Sequence, residues 1–271
     1  MPGCRRLGHS RRFTTLAIER ANLIKKLVRL VTHSRPPPKI RDRSGTVRPI
    51  VLRMDSPKAW LIDVHSTVLC VDFARVYQGL ADIAGVPSDM FRAAYGHVVD
   101  DVMTCKGVAP EAMARVLSAC GVEPGQRRVD ELVAEDQRLL IEHTQVFEDA
   151  VDFLHRLRKL GASSALVSNC GDHTRVLLVH FGFDALVDDL VLSSEVGFLK
   201  PDARIFRFAL DRLGVAPELA AFVDDKVSYC RAAGALGMGA VQLMREARPS
   251  GAVSLPGDPP VIASFTDLMP R

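Results

Sequence analysis

Four short stretches carry side chains whose types could act together on one substrate. They are "LIDVHSTV" with Asp63, His65 and Thr67, "LVSNC" with Ser168 and Asn169, "GFLKPD" with Lys200, and "FVDDK" with Asp224 and Asp225. Alone, each has an ordinary use: acids after a strand cap the next helix, Ser-Asn makes turns, and a lysine before proline is usually a solvated loop residue. Together they describe phosphoryl transfer. Three carboxylates converging with one lysine repel one another unless a hard divalent cation sits among them, and Mg²⁺ takes its oxygen ligands from one or two carboxylates plus a substrate phosphate. Asp63 is then the candidate nucleophile, forming an aspartyl-phosphate that water later breaks. Thr67, Ser168 and the Asn169 backbone N–H are candidates to hold the phosphoryl oxygens, with Lys200 neutralising charge that the metal does not reach. Asp63, Asp224 and Asp225 are the candidate metal ligands. A loose transition state needs little else.

Such residues must be delivered by strand ends. From residue 58 onward, short apolar runs alternate with amphipathic stretches, the pattern of a parallel sheet with crossover helices. "KAWLIDV" reads as a first strand, followed by "SSALVSN" (163–169), "LVDDLVLSS" (186–194), "AAFVDD" (220–225) and "GAVQLM" (239–244). Between them lie helices such as "FEDAVDFLHRLRKLG", with Val151, Leu154, Leu157 and Leu160 on one face and Gly161 as its stop. The expected architecture is α/β: a doubly wound, Rossmann-like parallel sheet whose ligands sit beyond the carboxyl ends of the strands.

One interval is too long for that plan. A strand-helix-strand unit takes roughly 30 residues, yet 105 positions separate Asp63 from Ser168. The surplus is helical, with four stripes: Val76, Tyr77, Leu80 and Ile83; Phe91, Tyr95, Val98 and Val102; Met113, Val116, Leu117 and Cys120; Val129, Leu132, Val133 and Leu140. Asp72 and Ser88 are expected to cap N-termini, Pro110 suits a first turn, and Gly85 and Gly121 end their helices. Short helices of this kind close by packing on each other, so residues 71–145 are expected to form a helical bundle covering the sheet, with 54–70 and 146–271 as the core.

Asp63 with Thr67, Ser168, Lys200 and the Asp224–Asp225 pair, in this order and with these flanks, resemble the four motifs of the haloacid dehalogenase-like (HAD) hydrolase superfamily. The resemblance covers residues 57–245 and is most specific over "SSEVGFLKPDARIFRFALDRLGVAPELAAFVDDKVSYCRAAGALGM". A helical insertion after the first motif resembles the cap of the first subclass, mostly Mg²⁺-dependent phosphatases of small phosphorylated metabolites with a minority of dehalogenases and phosphonate hydrolases. The resemblance implies a nucleophile at Asp63, phosphate contacts at Ser168 and Lys200, and metal ligands at Asp224 and Asp225, joined by the backbone carbonyl of His65.

His65 departs from that pattern. Phosphatases of the superfamily carry an aspartate two residues after the nucleophile as the general acid/base; the next position, usually glycine, is Ser66 here, and Cys170 stands where the second motif usually has glycine. An imidazole can also transfer protons, and with an unperturbed pKa near 6.5 roughly a quarter of it is cationic at pH 7. The expectation is an altered but working phosphatase with His65 as proton carrier. Three alternatives stand beside it: a protein that binds a phosphorylated ligand without turnover; a metal-free dehalogenase, against which the crowding of Asp224 and Asp225 argues; and carbon–phosphorus cleavage through Lys106, the one lysine of the insertion. Cys170 and Cys70 are expected to be small buried fillers, and Asp172 to cap the helix that follows it.

Composition bounds the remainder. With 48% apolar and 25% charged residues in 271, the chain can bury a sizeable core. Residues 1–53 hold 14 Lys/Arg against Glu19 and Asp42, which leaves 21 basic and 30 acidic residues for 54–271, a net of −9. An acidic body carries no nucleic-acid footprint. The basic leader is expected to be disordered, or upstream of a native start at Met54; "TTLAIERANLIKKLVRLVTH" read as an amphipathic targeting or membrane-surface helix is the alternative. No apolar run reaches 18 residues, so no membrane span is expected. Six scattered cysteines without a C-x-x-C pair fit a reduced, cytoplasmic setting.

Overall fold

The first strand, Ala59–Ile62 (β1), is buried on both faces and splits its side chains between two cores, as a period of two requires. Trp60 and Ile62 enter one, Ala59 and Leu61 the other. The computed structural model describes residues 57–104, 109–245 and 257–268. The leader 1–53 and Lys106 lie outside the described residues, as do the expectations attached to them.

Strand β1 pairs in parallel with β4 (Ser163–Ser168) on one side and β6 (Ala220–Asp224) on the other. Beyond β4 lies β5 (Asp189–Leu192); beyond β6 lie β7 (Gly239–Leu243) and β8 (Val261–Ile262). The order β5-β4-β1-β6-β7-β8 reverses direction around β1, so the three strand ends that meet there carry Asp63, Ser168 and Asp224. A crevice at such a reversal is where an open parallel sheet binds its ligand. The five expected strands are present; β8, two residues long, has no pattern by which a sequence could reveal it.

The face with Trp60 is covered by the helix Glu148–Leu160, whose Phe153 meets Trp60 edge-on at 5.0 Å. Leu160, expected on that helix's buried face, is 68% exposed at its last turn, and Ala150 and Phe153 are buried instead. The opposite face is covered by helices Ala203–Leu213 and Val227–Ala235, with Phe206 edge-on to Phe222 at 5.1 Å.

The interval after β1 leaves and returns through an antiparallel ribbon of β2 (Leu69–Val71) and β3 (Thr144–Val146). Between them run α1 (Phe73–Ala84), α2 (Ser88–Gly96), α3 (Val99–Met103), α4 (Ala109–Ala119) and α5 (Gln126–Glu142). The second stripe is thus two helices. Asp72 caps α1, accepting from Arg75 N at 3.2 Å, and Gly85 closes it at φ 72°. Ser88 does not cap: it is the first helical residue, and Pro87 holds the cap position. Helices α1 and α5 approach so closely that a Cβ at Gly79 would lie 2.7 Å from a Leu139 methyl. No helix among the described residues is long and apolar enough to cross a membrane.

Candidate active site

Asp63 follows β1 directly and is 6% exposed; its N–H donates to Val223 O at 2.9 Å, tying it to the end of β6. Lys200 reaches in from the loop after β5 and donates from Nζ to Asp63 Oδ1 at 2.5 Å and to Asp224 Oδ2 at 2.6 Å. Thr67 donates its hydroxyl to the other Asp63 oxygen at 2.9 Å. Both oxygens of the candidate nucleophile are therefore fixed by donors. Expected among the phosphate contacts, Thr67 instead spends its proton on Asp63.

Lys200 is itself positioned by a residue assigned to phosphate. The Asn169 side chain clasps the Lys200 backbone, donating to its carbonyl at 2.8 Å and accepting from its N–H at 2.7 Å. The ammonium lies over the rings of Phe222 and Tyr229, at 5.5 and 5.3 Å from their centroids. Burial alone would depress its pKa, but Asp63 and Asp224 outweigh burial and hold it far above the ordinary lysine value. Sequence offered no signal for the clasp or for Tyr229, because the partners are 31 and 29 residues from Lys200 and meet only when the strands align.

Ligand oxygens of Asp63, Asp224 and Asp225 all lie within 4.8 Å of one another. Burial, then the charge of Asp63, pushes Asp224 up to about 8 and raises Asp225 as well. Three carboxylates thus face one ammonium, and the surplus negative charge, all on hard oxygen donors, fits a small dication such as Mg²⁺. Beside them Ser168 Oγ is buried with no hydrogen-bond partner, an orphan at the end of β4.

His65 packs against Phe73, ring centroids 5.7 Å apart, and its Nδ1 is buried without a partner. Burial, opposed by Asp63 and reinforced by His173, pushes it down to about 4. The expected cationic share at pH 7 thereby falls from roughly a quarter to about one in a thousand. Next to it, Ser66 keeps φ 61°, so the backbone retains a glycine-like conformation although the residue has changed.

Two further readings change. Cys170 is buried as expected, but Cys70 is exposed. Asp172 makes no side-chain cap; its Oδ2 accepts from Ala109 N of α4 at 3.2 Å, linking core to insertion. The turn that carries Ser168 also leads, five residues on, to a pair between the half-buried His173 and the buried Asp136 that sequence reasoning missed.

Residues 125–237 match the haloacid dehalogenase-like hydrolase family. The chain is 29% identical over 140 residues to (S)-2-haloacid dehalogenase 4A of Burkholderia cepacia, covering 51% of this chain and 58% of that one. It is 40% identical over 106 residues to the phosphoserine phosphatase of Thermus thermophilus, covering 38% and 43%. The chain spans about half the length of the curated relatives it matches. A HAD family enzyme from Bacteroides thetaiotaomicron, solved in complex with magnesium and inorganic phosphate, shares the fold with TM-score 0.58 at 18% identity, over 72% of this chain and 98% of that one. A parallel core whose strand ends gather Asp63, Ser168, Lys200 and Asp224 is thus similar in fold, and over residues 125–237 in sequence, to the haloacid dehalogenase-like hydrolases.

Proposed function

We propose that the protein is a Mg²⁺-dependent phosphatase of a small phosphorylated metabolite. The observation that carries this reading is the bridging of Asp63 and Asp224 by Lys200, with Asp225 in ligand range and the buried Ser168 hydroxyl unpartnered beside them. Asp63, Asp224 and Asp225 would hold the ion together with the His65 backbone carbonyl. When bound, it supplies the positive charge that lets a phosphate dianion approach carboxylates.

The chain's own residues supply the chemistry. Lys200 and Thr67 fix the Asp63 carboxylate so that one oxygen attacks phosphorus in line while the bond from phosphorus to the leaving oxygen breaks. That oxygen takes a proton and departs as an alcohol. Water then attacks phosphorus, loses a proton, and releases inorganic phosphate and the Asp63 carboxylate. Ser168 and the Asn169 N–H steady the transferring oxygens. His65 carries the proton: neutral at rest, it is charged only when phosphate brings negative charge beside it. Residues 71–145 act as a cap that excludes water and meets the leaving group. A reduced, cytoplasmic setting is supported by Cys120, Cys170 and Cys230, none of which forms a disulfide.

The test is a panel of phosphomonoesters with and without Mg²⁺, beside Asp63→Asn. Metal-dependent phosphate release is expected, falling on the order of 10⁴-fold in the variant. The likeness to a haloacid dehalogenase favours a second reading, in which Asp63 attacks carbon. Halide release from a 2-haloacid without metal would establish it, and phosphate binding without any turnover would make this a binding protein.

A further inference from the structure

Where the inserted helices meet the core, the buried Asp136 pairs with a half-buried histidine that the chemistry above does not use. Asp136 of α5 is 6% exposed, and its Oδ2 accepts from Nδ1 of His173 at 3.2 Å. His173 opens the helix His173–His180 and hangs from the same connection that carries Ser168 and Asn169. Behind its ring the connection has Gly171: a Cβ there would lie 3.1 Å from His173 Cε1 and 3.1 Å from a Val102 methyl of α3. The ring is therefore clamped between core backbone and cap carboxylate, and its Nε2 is left free of the bond to Asp136.

Its position is informative. Burial opposes protonation of His173, but the hydrogen bond and charge of Asp136, with Asp172 beyond, hold it above the ordinary imidazole value. Pairs of this kind stabilise a fold little relative to apolar residues of the same size. His173 follows Ser168 by five residues on one connection and meets the inserted helices at Asp136, so a leaving group directed from Ser168 toward the insertion would enter this seam.

We propose that His173, held by Asp136, is a specificity residue that donates Nε2–H to an oxygen acceptor on the leaving group. This rests on the phosphatase reading and sharpens it. The substrate class is a phosphomonoester with a hydroxyl or carboxylate near the ester oxygen, rather than a plain alkyl phosphate.

The test compares matched pairs, glycerol 1-phosphate against propyl phosphate and O-phosphoserine against ethyl phosphate. The ratio of kcat/KM within a pair should favour the acceptor-bearing member roughly 10- to 100-fold, the worth of one charge-assisted hydrogen bond. That ratio should fall toward one in His173→Ala and in the isosteric Asp136→Asn, and recover in part in His173→Gln, which keeps a side-chain N–H. A ratio unchanged by Asp136→Asn, or both members falling by one factor, overturns the proposal and leaves the pair a structural contact. Should His173→Ala fail to fold, as judged by its melting transition, Asp136→Asn decides alone. Wild-type protein that releases phosphate from neither member refutes the phosphatase reading instead. Calorimetric binding of glycerol 1-phosphate and propyl phosphate then judges His173: a preference lost in Asp136→Asn upholds it, and equal binding overturns it.

Discussion

Lys200 and His173 are both proton donors to buried acids, yet they are held differently. Lys200 bridges two carboxylates, and those carboxylates belong to the ends of adjacent strands in one sheet. His173 has a single carboxylate partner, and it comes from a helix of the insertion. The first arrangement is set once the sheet forms; the second exists only while insertion and core are together. A reaction common to many substrates needs the first kind of site. Selecting among substrates suits the second, because a contact made across a seam can depend on what lies in the seam.

Disrupting each pairing should expose the difference. Lys200→Met leaves Asp63 and Asp224 facing each other in a dry site and should cost about 3–5 kcal/mol in metal-free denaturant unfolding. Asp136→Asn, which keeps a polar partner for His173, should cost less, about 1–3 kcal/mol. Equal losses would mean that the two sites are not distinct in kind.

Metal should favour only the first site. With its folded-state pKa raised to about 8, Asp224 contributes stability that is fully present below the unfolded value of 3.8 and lost as pH rises through 8. Mg²⁺ at about 100 times its dissociation constant should restore about 2.7 kcal/mol. The gain in melting temperature should grow from about pH 6 to about pH 8 as the proton leaves. Asp224→Asn should abolish the gain, whereas Asp136→Asn should leave it intact.

His65 and Ser66 follow Asp63 just after β1. His65→Ala should lower phosphate release from an alkyl ester about 10²-fold, the usual share of a positioned proton carrier. Full activity in that variant would remove His65 from the mechanism. Ser66→Gly should stabilise the fold by about 1 kcal/mol, by relieving a left-handed residue with a Cβ. Thermal unfolding would show it as a small upward shift.

Much of this arrangement was legible beforehand. Strands buried on both faces read as apolar runs, and the polar residues that end them, Asp63, Ser168 and Asp224, stand out because the run stops there. The inserted helices were legible through their stripes, since a helix that buries one face must repeat near 3.6 residues. What escaped was every feature in which a side chain chose a distant partner over a local one. Asp172 reaches Ala109 instead of capping its helix, Asn169 clasps Lys200, and Leu160 falls outside the buried face because its helix ends at the surface. The pKa of His65 escaped too, since burial by neighbouring elements decides it.

By itself, the sequence determined which residues could do chemistry and which strand or loop each would end. That information is local: it resides in hydrophobic periodicity and in the polar residues that interrupt it. Tertiary structure alone decided that Thr67 and Lys200 would share out the oxygens of Asp63, that Ser168 would be left with none, and that Asp136 would cross the seam to His173. Those outcomes depend on distances between elements far apart in the chain, and on the water that their packing excludes.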